Sequence, residues 1–158
     1  EHVMDLLDIS SLANRYPYDL SGGQMQRMSL AGVLVMQPNI IVLDEPTSQL
    51  DPKGSEEVFK AVESLKTQGK TIIMVEHNIE KIAQYSDRVM LFYEGNLIAF
   101  DCPRKIFSRN DLSQYGVEAP VYAQICKQLS IRESDGLYPV TFERAYQLLQ
   151  RNQKGNTQ

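Results

Sequence analysis

The chain has 158 residues, 42% of them apolar, and sets 16 basic against 20 acidic side chains for a formal charge of −4. That length and apolar share suit one compact globular domain with a real core, and an acidic balance without a basic block argues against a protein that tracks phosphate backbones, so no nucleic-acid partner is expected. The longest aliphatic runs, "IIVL" and "IIMV", fall far short of the about 20 residues a membrane-spanning helix needs, so membrane contact is expected only through a partner.

In chain order, "EHVMDLLDI" places Val3, Met4, Leu6 and Leu7 on one helical face and starts in mid-element, with no signal or targeting segment visible. After Pro17, "DLSGGQMQRMSLAGVLVMQP" predicts a helix of about three to four turns that stops before Pro38. Ser21 is its expected N-cap, with Gln24 three residues on completing a capping-box pattern, and Met25, Met28, Gly32 and Val35 form its apolar face. "NIIVLD" reads as a strand, "DPKGSEEVFKAVESLK" as a helix with Val58, Ala61, Val62 and Leu65 in step, and "KTIIMVEH" as a second strand. Two such strands joined by a helix make a βαβ unit, expected to be parallel, right-handed and buried on both faces. Asn78 then caps a short helix through Ile79, Ile82 and Ala83, and "RVMLFYEGNLIAFD" reads as a hairpin turning at Gly95 and Asn96. Helices follow in "PRKIF", around "PVYAQICKQL" and in "TFERAYQLLQ", before a polar tail expected to fray. Cys102 and Cys126 form no CxxC pair and are expected to be small core fillers in a reducing compartment.

Two features carry chemistry. The N-terminus of a helix exposes unpaired N–H groups and a positive dipole end, and glycines there let an anion approach the backbone. "LSGGQ" supplies that arrangement, with the Ser21 hydroxyl as an added donor. The second feature is the ending of "IIVL" in two adjacent acids, Asp44 and Glu45, with Pro46 behind them. Charge at the edge of an apolar environment is costly unless something meets it, and the carboxyl end of a buried strand is where open α/β sheets bind ligands. There Asp44 can hold a magnesium ion through water, and Glu45, on the other side of the chain, can orient an attacking water or accept its proton. His77 ends the next strand, where a short loop can bring its imidazole to the same edge as Glu45.

"LSGGQMQR", "IIVLDEPTSQLD" and "VEH", in this order and at these spacings, resemble the signature motif, the Walker B strand with its D-loop, and the switch-histidine loop of ABC-type ATPases. The resemblance implies an α/β fold: part of a P-loop NTPase with a mostly parallel sheet, part of the helical subdomain, and a small C-terminal helical extension. It implies ATP and Mg2+ as ligands. Asp44 would coordinate the metal through water, Glu45 would polarise the hydrolytic water, and His77 would contact the γ-phosphate. Ser21, Gly22, Gly23 and Gln24 would bind the γ-phosphate of a nucleotide held by the second ATPase subunit or domain of a head-to-tail dimer. Asp51 would lie on the seam of that dimer, near Gln49, which stands where small residues are common in the family. The downstream stretches "FDCPRKIFS", "YGVEAPVYAQICKQL" and "LYPVTFERAYQLL" resemble the ATPase subunits of energy-coupling-factor importers of vitamins and cobalt. That likeness implies a transmembrane scaffold and a substrate-binding membrane subunit as partners, and a cytoplasmic place on the inner face of the cell membrane.

The expected organisation is a C-terminal portion of an ABC ATPase domain over residues 1–100, a helical extension over 101–150 and a polar tail over 151–158. No GxxxxGK(S/T) occurs in the chain, so the loop that cradles the α- and β-phosphates is missing. The chain by itself is therefore expected neither to bind ATP tightly nor to turn it over. Two other readings share the motifs: an ABC-type ATPase of nucleic-acid maintenance or translation, against which the acidic balance stands, and a non-catalytic dimerisation module, which would have no use for Glu45 and His77.

Overall fold

The computed structural model describes residues 2–155, which fall into two compact units dividing between His77 and Asn78. The first unit holds α1 (His2–Leu6), two short 3-10 turns, α2 (Gly22–Leu34), β1 (Ile40–Asp44), α3 (Pro52–Thr67) and β2 (Thr71–Val75). The second holds α4 (Ile79–Tyr85), β3 (Val89–Tyr93), β4 (Asn96–Asp101), α5 (Pro103–Phe107), α6 (Val121–Gln128) and α7 (Phe142–Gly155). Helix α7 thus runs on into the stretch expected to be a polar tail, and residues 156–158 lie outside the described part.

In the first unit β1 and β2 pair in parallel, from Ile40 opposite Thr71 to Asp44 opposite Val75. The period-2 alternation of a strand sorts their side chains. Ile41 is buried, and Leu43 and Ile72 pack beside it against a cluster built from Leu7, Ile9, Leu12, Ala31, Leu34 and Ala61. The other face is open: Ile40 and Val42 are 64% and 69% exposed, and Ile73 and Val75 are exposed as well. This corrects the expectation that both faces are buried. An unbroken aliphatic run signals strand content without saying where cover comes from, and this cluster lies on one face alone.

Helix α2 also turns differently from expectation. Ala31 and Leu34 are its buried residues, with Met28 and Leu30 partly buried, whereas Val35 is 66% exposed and Gly32 also faces solvent. The helix ends at Leu34, and Gln37 takes a positive φ of 50° before Pro38. In α3 the expected stripe is present, with Val58, Ala61 and Val62 buried, joined by Phe59. One side chain ties these helices together. Arg27 Nη1 donates to Glu57 Oε2 at 2.7 Å and to the Leu7 carbonyl at 3.3 Å, and both members of the ion pair are only 16% exposed.

In the second unit β3 and β4 form an antiparallel hairpin with a register shift between Leu91 and Phe92. The turn residues are Glu94 and Gly95, at φ 47° and 77°, so the loop sits one residue earlier than expected and Asn96 opens β4 opposite Tyr93. A two-residue loop with both φ values positive matches the strand twist, and the Asn96 side chain donates back to the Glu94 carbonyl. Asn78 caps α4 by accepting from the Lys81 amide at 3.1 Å. The core beneath the hairpin gathers Leu91, Ile106, Phe107, Leu112, Ala123, Cys126, Tyr138 and Val140. Cys126 is a core filler, and burial, with Glu133 adding to it, pushes its thiol pKa up.

Two predictions follow the packing. Arg27→Ala removes one partner of a half-buried pair that joins α2 to α3, and is expected to lower unfolding free energy by about 2 kcal/mol in urea titration. The second concerns acid. Hydrogen bonds from Arg109 hold Asp111 below its ordinary value of 3.8, and one from Arg104 does the same for Asp135. Their folded pKa values lie below the unfolded ones, so their stabilisation is complete above about pH 4 and drains away as pH falls through the folded values. Unfolding temperature is expected to be insensitive to these pairs between about pH 5 and 7, and Asp111→Asn to flatten part of the decline at acid pH.

Candidate active site

The site is built at the carboxyl ends of β1 and β2. Asp44 is the last residue of β1, its carboxylate exposed at that edge. At Glu45 the chain leaves the strand with a φ of +45°, a left-handed conformation that a residue with a Cβ adopts at a cost. The backbone there is held on both sides. The Glu45 amide donates to the Val75 carbonyl at 3.0 Å, and the Glu45 carbonyl accepts from the Ser48 amide and from Gln26 Nε2, each at 3.2 Å. Pro46 is buried behind the turn.

This turn brings Glu45 and His77 together: Glu45 Oε1 and His77 Nε2 stand 2.7 Å apart. A carboxylate only accepts, so Nε2 carries the shared proton when Glu45 is ionised. The two side chains are 43% and 81% exposed, leaving the carboxylate open to a water or a ligand. Glu76 joins the loop after Glu45 to the backbone of His77. Its carboxylate accepts from the Thr47 hydroxyl and, at 3.0 Å, from the His77 amide.

The second group of residues sits at the start of α2. Ser21 is its N-cap: Oγ accepts from the Gln24 amide at 3.3 Å and Gln24 Oε1 accepts from the Ser21 amide at 3.0 Å, closing the capping box. Ser21 and Gly22 are exposed, Gly23 and Gln24 half-buried. The glycines are close to the loop after β1. A Cβ on Gly22 would stand 3.3 Å from Gln49 Oε1, and one on Gly23 would meet Leu50 Cδ2 at 3.0 Å. Gln49 therefore lies against the signature glycines of its own chain. Asp51 follows as the N-cap of α3, its Oδ1 accepting from the Gly54 amide at 2.7 Å with Pro52 at the first helical position.

The donor set suits one kind of cation. Among the described residues no three His, Cys, Asp or Glu side chains group as a metal cage. A single exposed carboxylate such as Asp44 fits a hard ion that keeps most of its ligands as water and phosphate oxygens, which is how magnesium is bound beside nucleotides.

Several contributors escape a reading of the sequence. Gln26, Thr47 and Glu76 act through partners distant in sequence, and only the Asp-Pro pair opening an apolar-periodic run signals the capping role of Asp51.

Residues 1–48 match the ABC transporter family. The chain is 34% identical over 158 residues to the energy-coupling factor transporter ATP-binding protein EcfA2 of Methanospirillum hungatei, a match covering 98% of this chain and 40% of that relative. It is 45% identical over 120 residues to EcfA2 of Lacticaseibacillus paracasei, covering 73% and 41%. Among solved structures it resembles cbiO1 from Clostridium perfringens, part of the ABC transporter complex cbiONQ, with a TM-score of 0.62, 33% identity and coverage of 82% of this chain and 48% of that one. The chain thus spans less than half the length of these relatives.

The geometry separates groups that hold the fold from groups that do not. Asp51→Ala removes a helix cap and is expected to lower stability by about 1 kcal/mol, with Asp51→Asn largely sparing it. His77→Ala breaks an exposed contact and is expected to change stability by less than about 1 kcal/mol. A loss several times larger would make the Glu45–His77 pair structural.

Proposed function

We propose that this chain, which resembles ABC-type ATPase cassettes of the energy-coupling-factor kind, supplies in the complete protein the hydrolytic edge of an ATPase that drives a membrane importer of a micronutrient. The observation that carries the proposal is the 2.7 Å contact between Glu45 and His77 at the carboxyl edge of a parallel strand pair, directly after Asp44. Residues 1–100 are read as the cassette portion, residues 101–150 as a helical extension and the stretch beyond as a tail.

In this reading Asp44 holds magnesium through water, and the ion supplies positive charge against the phosphates. Glu45 accepts a hydrogen bond from the attacking water and takes its proton as the water oxygen bonds to the γ-phosphorus and the bond to ADP breaks. His77, its Nε2–H shared with Glu45, fixes the carboxylate and contacts the γ-phosphate. Ser21, Gly22, Gly23 and Gln24 serve a different nucleotide, the one bound by a second cassette packed head to tail, with Asp51 at the seam. Exposed Ser21 and Gly22 at the start of a capped 13-residue helix suit that task, since the helix end presents N–H groups to an anion. A transmembrane scaffold and a substrate-binding membrane subunit are the further partners, which gives the complex a cytoplasmic place at the membrane's inner face. Among the described residues no helix is long and apolar enough to cross a membrane.

The experiment is ATP turnover by the complete cassette with magnesium, compared with Glu45→Gln. Turnover is expected to fall by about 100-fold or more with ATP binding retained; a variant as active as the parent overturns the proposal. The 158-residue chain alone is expected to show no micromolar ATP affinity in calorimetry, because it contains no phosphate loop.

A further inference from the structure

Gln26 lies one turn into α2, with a half-buried side chain whose Nε2 reaches the Glu45 carbonyl. A carbonyl accepts and cannot donate, so the amide nitrogen must face Glu45 and the amide oxygen must point away. That oxygen, Gln26 Oε1, is buried and makes no hydrogen bond. A half-satisfied buried amide is a liability for stability, and an apolar side chain of the same length would occupy the space without it.

The group it holds carries a liability of its own. Glu45 sits at φ +45°, in a region that persists for a residue with a Cβ when its surroundings over-determine it. Its bonds to Val75 and Ser48 belong to the strand pair and to the turn itself. The bond from Gln26 comes from a third element, the helix whose first turn holds Ser21–Gln24, and it spans 19 residues of sequence. Two unfavourable features therefore meet at one hydrogen bond, at the residue on which the chemistry is centred.

We infer that Gln26 is a positioning residue: it locks the left-handed turn at Glu45 to α2, and thereby fixes where the Glu45 carboxylate stands relative to His77 and to the attacking water. The inference rests on the reading of Glu45 as the group that activates water. Gln26 acts through the backbone of Glu45, so its loss changes the rate of the chemical step and leaves nucleotide binding alone.

The test uses the complete cassette and three variants. Gln26→Met keeps the length and the helix propensity of the side chain while removing both the donor and the orphan oxygen. Its kcat is expected to fall by about tenfold, with KM for ATP within about twofold and a melting temperature equal to or above the parent's. Gln26→Ala repeats the measurement if the methionine variant does not fold. A kcat equal to the parent's, or a loss of kcat that accompanies an equal-fold rise in KM or a clear drop in melting temperature, overturns the inference. Glu45→Gln in the same preparation separates the two levels. If it turns over normally, the reading of Glu45 fails; if it is inactive while Gln26→Met matches the parent, the role of Gln26 alone fails.

Discussion

The parallel pairing of β1 with β2 is the constraint on which the site depends. Because Asp44 stands opposite Val75, the Glu45 amide reaches the Val75 carbonyl and the ladder runs one residue past the strand. That last bond turns Glu45 into its left-handed conformation beside the end of β2, where His77 emerges two residues after Val75. A slip of one residue would send every side chain of the strand to the opposite face and separate the acid from the histidine. The register is fixed by packing, since Ile41 and Leu43 must point into the cluster under α2 and α3.

The same helices set the position of the Ser21–Gln24 helix end. Arg27 pins α2 to α3 through Glu57, Gln26 ties α2 to the Glu45 turn, and Gln49 and Leu50 lie against Gly22 and Gly23. Three successive features of one helix, its capping box, its link to the acid and its ion pair, thus serve three different tasks. The signature glycines and the Glu45–His77 edge are coupled through short contacts within one unit. In the proposed head-to-tail arrangement they would face different nucleotides, so each chain would take part in two sites at once.

What could be read from the sequence was local. The strands, α3, the capping box at Ser21 and the cap at Asn78 rest on periodicity and on groups three residues apart, and the structure contains them. The hairpin turn lies one residue earlier than expected because Gly95-Asn96 is itself a turn-forming pair, while here Glu94 takes the first left-handed position ahead of Gly95. The buried face of α2 is not legible in the sequence because Met25 and Val35 are as apolar as Ala31 and Leu34, and only the neighbouring elements decide which are covered. Exposure of Ile40 and Val42 has the same origin. The positive φ of Glu45 and its contact with Gln26 were illegible for a further reason: local preference opposes the first, and the second depends on tertiary placement across 19 residues.

In the proposed arrangement one chain contributes to two nucleotide sites, its acid edge to one and its Ser21–Gln24 helix end to the other. The most direct measurement is sedimentation of the complete cassette carrying Glu45→Gln, with and without ATP and magnesium. A monomer is expected without nucleotide and a dimer with it, and the dimer is expected to be lost when Ser21→Arg is added. A cassette that stays monomeric with ATP, or whose dimer ignores the change at Ser21, would contradict this arrangement.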